Sequence, residues 1–228
     1  GDVKAGRGVF HWAEGHRYDG MWVDDLRSGP GTYEVKTAKS GGGGGGKGGG
    51  GGGGGASSFL TLTGQWHDDK LHGSGIEVDA AAGETYSGEW RFGVRSGRGT
   101  SYHGDGGSYD GEWVDGKYNG FGTRTEKARE GGGGGQETAA HYSGWWVDGV
   151  RHGNGTVVTA EGDKYIGGWD NGAKSGSVGE FWWEDGHHYS GAWAADAMHG
   201  RGEWRSASGN TYLGEFSGGV KHGRGKFT

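Results

Sequence analysis

One pattern recurs eight times in this chain and constrains its fold more than any other feature. Each copy has a large residue, Gly two positions later, Trp or Phe two positions after that, a short turn, and then a glycine-rich segment, usually Gly-x-Gly. Clear copies are Tyr86-Ser-Gly-Glu-Trp90, Tyr109-Asp-Gly-Glu-Trp113 and Tyr142-Ser-Gly-Trp-Trp146. Successive copies begin 23 or 24 residues apart, apart from two longer steps of 44 and 33 residues. A period in this range is typical of a repeat array, in which each unit buries its apolar face against its neighbours.

The spacing within each copy predicts a β-strand with an aromatic ladder on one face. Positions one, three and five have the same parity, so their side chains point to the same side of an extended strand. The residues between them are mostly polar, which is the alternation of a strand buried on one side. The ladder predicted in this way comprises Tyr18, Trp22, Trp66, Tyr86, Trp90, Tyr109, Trp113, Tyr142, Trp146, Tyr165, Trp169, Tyr189, Trp193, Tyr212 and Phe216.

Positions seven and eight of each copy predict a tight hairpin turn. They include Asp115-Gly116, Asn171-Gly172 and Gly218-Gly219, and position eight is always Gly or Asp. Such pairs favour two-residue hairpin loops, which need positive φ. The glycines of the second strand permit close approach of another backbone or ring. We therefore expect an all-β fold in which about eight tandem hairpins form one long antiparallel sheet, as a single domain over residues 1–228.

The full motif, Tyr-x-Gly-Glu-Trp-x-x-Gly-x-x-His-Gly-x-Gly, closely resembles the MORN repeat. Gly111-Glu-Trp113, Gly116 and Gly120-Phe-Gly122 carry the resemblance, which extends from Gly6 to Phe227. It implies an elongated sheet of hairpins that binds proteins or lipids. Within the family, the chain is similar to small axonemal MORN proteins associated with radial spokes. In these a repeat is followed by an irregular loop and a Tyr-Ser-Gly-Trp-Trp strand, which is here Tyr142–Trp146.

That resemblance implies a location and a class of partner. The location is the cytoplasm and cytoskeleton, in the axoneme of a motile cilium or flagellum. The partners are other axonemal proteins, such as radial-spoke or dynein-docking subunits, contacted through helices or extended segments. The alternative that the family leaves open is a peripheral membrane adaptor that binds phosphoinositide lipids.

Two glycine-rich insertions account for the longer steps between copies. They are predicted over residues 34–58 and 126–140 and are typical of flexible loops. A phosphate-binding role is disfavoured, because neither tract ends in Gly-Lys followed by Ser or Thr.

Charge and composition exclude some functions. The chain has 23 basic and 29 acidic residues and a net charge of −6, without a basic run. Nucleic acids and anionic membranes both attract positive surfaces, so the balance argues against nucleic acid and weakly against membranes. The absence of cysteine fits a cytoplasmic compartment.

The sequence predicts no enzyme, cofactor or metal site. Four histidines, His72, His152, His199 and His222, share one repeat position. One repeat apart, they are too distant to bind one ion, whose ligands lie about 2 Å from it. No nucleophile has a fixed basic partner.

Five tryptophans lie outside the ladder and are the candidate partner-binding residues. Large aromatic side chains dominate the binding energy of protein interfaces, so each could anchor a partner. The competing interpretation is that these rings pack against an insertion or a neighbouring repeat. The five residues are Trp12, Trp145, Trp182, Trp183 and Trp204.

Overall fold

The repeat motif folds into antiparallel hairpins throughout the described residues of the computed structural model, which are 3–37, 58–127 and 139–228. The chain divides into two compact units, Gly1–Gly104 and Asp105–Thr228. In each unit every strand pairs antiparallel with the next one along the chain. The prediction of an all-β fold built from tandem antiparallel hairpins is confirmed.

The first unit contains seven strands among its described residues. Their bounds are β1 Gly6–His11, β2 Arg17–Val23, β3 Leu26–Thr37, β4 Ser58–His67, β5 Lys70–Asp79, β6 Glu84–Arg91 and β7 Val94–Tyr102. The second unit contains ten in its described part. They are β8 Ser108–Val114, β9 Lys117–Thr125, β10 His141–Val147, β11 Val150–Val158, β12 Lys164–Asp170, β13 Ala173–Trp182, β14 His188–Ala194, β15 Ala197–Arg205, β16 Thr211–Ser217 and β17 Val220–Phe227.

The hairpin turns have the backbone conformation that the sequence predicts. Both turn residues have positive φ in all eight copies, including Asp115 at 49° with Gly116 at 77°, and Asn171 at 48° with Gly172 at 85°. Positive φ at both central residues defines the type I′ turn, whose twist matches that of the flanking strands. Phe92 and Ala195 adopt the same conformation, at 50° and 47°. The hairpin context therefore overrides the preference of these side chains for negative φ.

The glycine-rich segment of the second strand forms a β-bulge in each hairpin. In the hairpin of β6 and β7 the register shifts between Gly88 and Glu89, and Gly97 on the opposite strand has φ of 62°. Gly88 pairs with Gly99 and Glu89 with Ser96, so β7 carries two extra residues, and a glycine with positive φ is a usual residue at the first bulge position. The first glycine of this motif therefore serves the bulge, and not the close packing that we expect from the sequence for both glycines.

The strand bounds narrow the first predicted insertion. β3 continues to Thr37 and β4 begins at Ser58, so residues 34–37 and 58 belong to strands. The remaining residues of that insertion, 38–57, lie outside the described residues. Residues 126–127 and 139–140 of the second insertion lie outside strands, and 128–138 lie outside the described residues. The amide of Glu126 donates to the carbonyl of Ala140 at 2.8 Å, which joins the two described ends.

The buried layer of each unit lies on the face that carries positions one, three and five, here called the ladder face. The Tyr, Trp and Phe side chains at positions one and five are at most 7% exposed, and five of the tyrosines are completely buried. The buried ladder side chains are Tyr18, Trp22, Trp66, Tyr86, Trp90, Tyr109, Trp113, Tyr142, Trp146, Tyr165, Trp169, Tyr189, Trp193, Tyr212 and Phe216. The opposite side of the strands is called the rear face.

Candidate interaction surfaces

Each ladder tyrosine is fixed by a hydrogen bond to its own strand. The Tyr86 hydroxyl donates to the Glu89 carbonyl at 2.9 Å, three residues along the chain. All seven tyrosines at position one make this bond, over 2.9–3.3 Å. The bond explains how a phenol is buried without cost, since its polar atom keeps a partner. Spacing alone did not indicate it.

The tyrosine ring fills the space above the glycines of its own hairpin. A Cβ atom added at Gly88 would lie 2.5 Å from the Tyr86 hydroxyl and 2.5 Å from the Cα of Gly99 on the paired strand. Non-bonded contacts of a Cβ atom are essentially never this short, so both glycines are required for the ring to lie over the strands. The ring that approaches these glycines is that of the same repeat.

Tyr, Trp and Phe rings form a continuous edge-to-face series in the second unit, whereas in the first unit Leu62 takes the place of one tyrosine. Tyr142 lies 5.0 Å from Trp146 in its own repeat and 5.3 Å from Trp169 in the next, measured between ring centroids. Both contacts have interplanar angles of 86°. This edge-to-face arrangement is the favoured one for aromatic pairs and adds about 0.5–1.5 kcal/mol to each contact.

Five of the seven ladder tryptophans also connect successive repeats by hydrogen bonds. The indole Nε1 of Trp146 donates to the carbonyl of Gly122 in the preceding repeat at 3.1 Å. The same bond is made by Trp22, Trp66, Trp169 and Trp193. The acceptor is the second glycine of the preceding glycine-rich segment in every case. The preceding repeat therefore supplies the hydrogen-bond acceptor for the buried indole N–H of the repeat that follows it.

Burial changes the acidity of the ladder tyrosines. Loss of hydration favours the neutral phenol over the phenolate, so it raises the pKa of a buried tyrosine. Burial raises the pKa to about 12 in Tyr18, Tyr86, Tyr142, Tyr165 and Tyr189. It also raises the pKa of Tyr109.

A column of cations lies against the ladder at position ten, the second residue after the turn, which is Arg or Lys in five of the eight copies. The Arg27 guanidinium lies 4.4 Å from the Tyr33 ring and 4.5 Å from the Trp66 ring. Arg151 lies 4.3 Å from the Trp169 ring, and Lys174 lies 5.4 Å from the Trp193 ring. These are cation–π distances. The ladder face is thus both aromatic and cationic, although the chain as a whole is acidic.

Most position-ten cations are neutralised by a nearby carboxylate. The partner is the aspartate at position eight of the next repeat for Arg27 with Asp69, at 2.9 Å, and for Lys174 with Asp196, at 3.7 Å. Lys4 pairs with Asp25 in the same way at 3.6 Å. The same aspartates accept the backbone amides of Lys4, Arg27 and Lys174. Aligning the copies would reveal this signal, because a cation at position ten accompanies Asp at the next position eight.

Three of the five candidate tryptophans pack along the ladder face. Trp12 makes an edge-to-face contact with Phe10 at 4.8 Å and with Tyr33 at 5.6 Å. Trp183 lies 4.6 Å from Phe181. Trp204 is stacked on His187 and carries the Lys221 ammonium 4.0 Å above its ring. All three rings are half-buried.

Trp182 lies on the rear face of β13, where it is also half-buried. Its ring is stacked on His188 at 5.0 Å, and the ammonium of Lys164 lies 5.5 Å from it. His187 and His188 therefore face opposite sides of the sheet, since His187 stacks on Trp204.

Trp145 differs from the other four because its ring is 52% exposed. It occupies position four on the rear face, where three other repeats have glutamate, at Glu89, Glu112 and Glu215. In those repeats the carboxylate serves the bulge, since Glu89 accepts the Arg98 amide at 3.0 Å and Glu112 accepts the Phe121 amide at 3.3 Å. Trp145 contacts Phe121, which is 50% exposed, with the ring centroids 6.2 Å apart. We call these two side chains the rear aromatic pair.

The sequence profile of the MORN repeat matches nine segments that together cover most of the chain. They are 1–17, 18–34, 63–80, 86–108, 109–125, 142–164, 165–188, 189–211 and 212–228. This chain belongs to the MORN-repeat family. The ninth match is the segment 1–17, which contains β1 and precedes the eight copies counted from the sequence. No curated protein matches the chain.

Family membership defines the general class of function. MORN repeats are generally non-enzymatic modules that form scaffolds for interaction with proteins or lipids. In the described residues of this MORN protein, no group of three or more His, Asp or Glu side chains is placed to hold a metal ion. None of its described segments is a helix long and apolar enough to cross a membrane.

Hydrogen bonding alters the acidity of Asp69, one of the position-eight aspartates. Partial burial acts to raise the pKa of this carboxyl, but hydrogen bonds from the amide and the side chain of Arg27 outweigh it, so the pKa is lowered. A lowered pKa in the folded state stabilises the fold above the pKa of the unfolded state, about 3.9, and this contribution is lost as the pH falls through the folded value.

We therefore expect Asp69→Asn to destabilise the first unit at neutral pH by about 1 kcal/mol, which is typical for one hydrogen bond to a charged group in a partly exposed site. The difference from the wild type should shrink as the pH falls below about 4, because the wild-type carboxyl is then protonated too. Thermal unfolding followed by tryptophan fluorescence at both pH values measures it. A difference that stays constant with pH would contradict this role of Asp69.

Proposed function

We propose that this chain is a non-enzymatic scaffold of the motile ciliary axoneme, as part of a radial spoke or docked to one. Its partners in this proposal are other axonemal proteins, such as radial-spoke or dynein-docking subunits. Family membership supports the interaction role. The axonemal assignment rests on the resemblance of the segment that leads into Tyr142–Trp146 to small axonemal MORN proteins.

The rear aromatic pair is the observation that carries the interaction role. Trp145 replaces a residue that in other repeats supports the backbone, and it exposes half of a large apolar ring instead. Its neighbour Phe121 adds a second exposed ring at edge-to-face distance. Exposed aromatic rings of this kind are enriched at the energetic centre of protein interfaces. The pair therefore offers an anchor point for a helix or an extended segment of a partner.

Trp145→Glu tests this proposal with little risk to the fold. Glutamate occupies the same position in other repeats, where it accepts an amide at the bulge. A tagged chain expressed in ciliated cells should co-purify with isolated axonemes, and Trp145→Glu should reduce its amount about 30-fold. That factor corresponds to the loss of about 2 kcal/mol at an interface centre.

Gln65→Glu is the matched control. Gln65 occupies position four in another repeat, so the variant adds the same charge at an equivalent place. It should remain in axonemes at the wild-type level. If Trp145→Glu also remains, the rear aromatic pair is not the anchor. If the wild-type chain is not found in axonemes, the proposed location is wrong.

Co-sedimentation with phosphoinositide vesicles distinguishes the scaffold from a membrane adaptor. The wild-type chain, with its net charge of −6, should stay in the supernatant. Strong pelleting that disappears at high salt would support the membrane adaptor instead.

A further inference from the structure

Arg151 departs from the neutralisation pattern of the position-ten cations. Arg27 and Lys174 have an aspartate at position eight of the following repeat, and Arg95 has Glu77 at 2.7 Å. For Arg151, position eight of the following repeat is Gly172, which has no carboxylate. The Gly172 amide donates to the Arg151 carbonyl at 2.9 Å. No carboxylate among the described residues forms an ion pair with the Arg151 guanidinium.

Arg151 lines a cavity together with a second arginine, Arg124, which also forms no ion pair in the described part of the chain. Arg124 lies on β9, paired in register with Tyr142 on β10, which places it on the ladder face. Arg124 and Arg151 line a cavity of about 210 Å³ together with Tyr142, Trp146 and Val157. Glu126 also lines it, but its carboxylate forms no ion pair with either guanidinium.

Two ladder rings hold the Arg151 guanidinium in place. It lies 4.3 Å from the Trp169 ring and 5.7 Å from the Tyr142 ring, and both rings are buried. A guanidinium held on an aromatic surface keeps the N–H donors in its own plane available. It also loses little conformational freedom when an anion binds. A single carboxylate can accept two parallel hydrogen bonds from such a group.

We propose that this cavity, here called the arginine pocket, binds a side-chain carboxylate from an acidic segment of a protein partner. The proposal rests on the scaffold function above and adds the chemistry of one contact. The ligand would supply the negative charge that Asp69 supplies to Arg27 and Asp196 supplies to Lys174. The apolar residues that flank the carboxylate would pack on Ala140 and Val157, which line the pocket and are partly exposed.

The charge of the pocket favours a carboxylate over a lipid phosphate. Arg124 and Arg151 contribute two positive charges and Glu126 one negative charge, so these three side chains together leave one positive charge. One carboxylate balances that charge, whereas a phosphate monoester carries about −1.5 to −2 at neutral pH. The net charge of −6 also opposes the approach of the chain to an anionic membrane.

Gly172→Asp is the decisive variant, because its carboxylate should form an intramolecular ion pair with Arg151 in place of the ligand. Position-eight aspartates adopt φ of 65–67° at Asp25, Asp69 and Asp196, and Gly172 has a φ of 85°. A Cβ at Gly172 would lie 3.4 Å from the Val150 side chain, an ordinary contact. The new carboxylate should pair with Arg151 as Asp69 pairs with Arg27.

The probe is the capped tripeptide acetyl-Leu-Glu-Leu-amide, titrated into the purified chain and followed by NMR of the arginine Nε–H groups. We expect saturable shifts at Arg124 and Arg151 and none at Arg27, which is already paired. The corresponding Gln peptide should bind at least about tenfold more weakly, since it lacks the charge. Gly172→Asp should weaken binding of the Glu peptide by a similar factor.

Gly219→Asp is the matched control, since it adds the same charge at position eight next to Met198, where there is no cation. It should leave the affinity within about twofold of the wild type. Equal binding of the Glu and Gln peptides, no binding of either, or no effect of Gly172→Asp would overturn the proposal. So would phosphatidylinositol-4-phosphate vesicles that shift Arg124 and Arg151 when the peptide does not. These measurements use the isolated chain, so their outcome is independent of whether Trp145→Glu leaves axonemes.

Discussion

Gly88→Ala should lower the free energy of unfolding of the first unit by about 3 kcal/mol or more. The added Cβ would lie 2.5 Å from the Cα of Gly99, 2.6 Å from the carbonyl oxygen of Arg98 and 2.5 Å from the Tyr86 hydroxyl. Two of these atoms belong to the backbone of the paired strand, so they cannot move aside as a flexible side chain could. The strands must separate, or the tyrosine must leave its site and give up its bond to Glu89.

Gly8→Ala is the control for this effect in the same unit. Gly8 in β1 is equivalent to Gly99 in β7. A Cβ at Gly8 would meet only the Trp22 ring, at 3.8 Å, and the φ of Gly8 is not positive. Its stability should stay within about 0.5 kcal/mol of the wild type. Urea unfolding followed by tryptophan fluorescence compares the two variants. Equal stability of both would show that the ring above Gly88 moves freely, contrary to its complete burial.

The fold should also unfold cooperatively in alkali, and this is the second large effect. The pKa of Tyr18, Tyr86, Tyr142, Tyr165 and Tyr189 is about 12 in the folded state, against 10.0 ordinarily. The folded state thus binds these protons more tightly than the unfolded state does. Their stabilising contribution is complete below pH 10 and is lost as the pH rises through 12.

The size of the alkaline effect follows from the number of tyrosines involved. A pKa difference of two corresponds to about 3 kcal/mol for each residue, and these side chains are at most 4% exposed. Several such contributions together exceed the stability of a typical domain, about 5–15 kcal/mol. Tyrosinate absorbance and the circular dichroism of the strands should therefore change together between pH 10 and 12. Ionisation of all tyrosines with an unchanged dichroism spectrum would contradict the burial argument.

The hairpins and the ladder could be predicted because local rules decide both. Strand parity places Tyr86 and Trp90 on one face, and Asp-Gly or Asn-Gly pairs specify the turn. Neither rule depends on what the rest of the chain does. Even Phe92, a poor residue for positive φ, follows the turn of its equivalents. Repetition strengthens each inference, because a residue type that recurs at one position in eight copies is far more informative than a single occurrence.

The candidate surfaces were less predictable because they depend on contacts between repeats. Arg27 looks like a solvated charge in the sequence, yet it lies against the rings of Tyr33 and Trp66. Trp12 and Trp183 follow strands, and no local rule shows that their rings contact Phe10 and Phe181. Trp145 was the exception, because its parity already placed it on the face opposite Trp146, where the structure shows it.

The indole hydrogen bonds give the array a direction. Trp169 donates to Gly155 and Trp193 donates to Gly179, so in each pair the later repeat uses an acceptor of the earlier one. The amide at position eight points the same way, as when Gly172 donates to Arg151. Of these bonds, removal of an earlier repeat leaves donors of the next one without partners, including a buried indole N–H, whereas removal of a later repeat leaves only their carbonyl acceptors unused. The two ends of such an array are therefore unequal in energy, and it should fray more readily when shortened from its amino-terminal side.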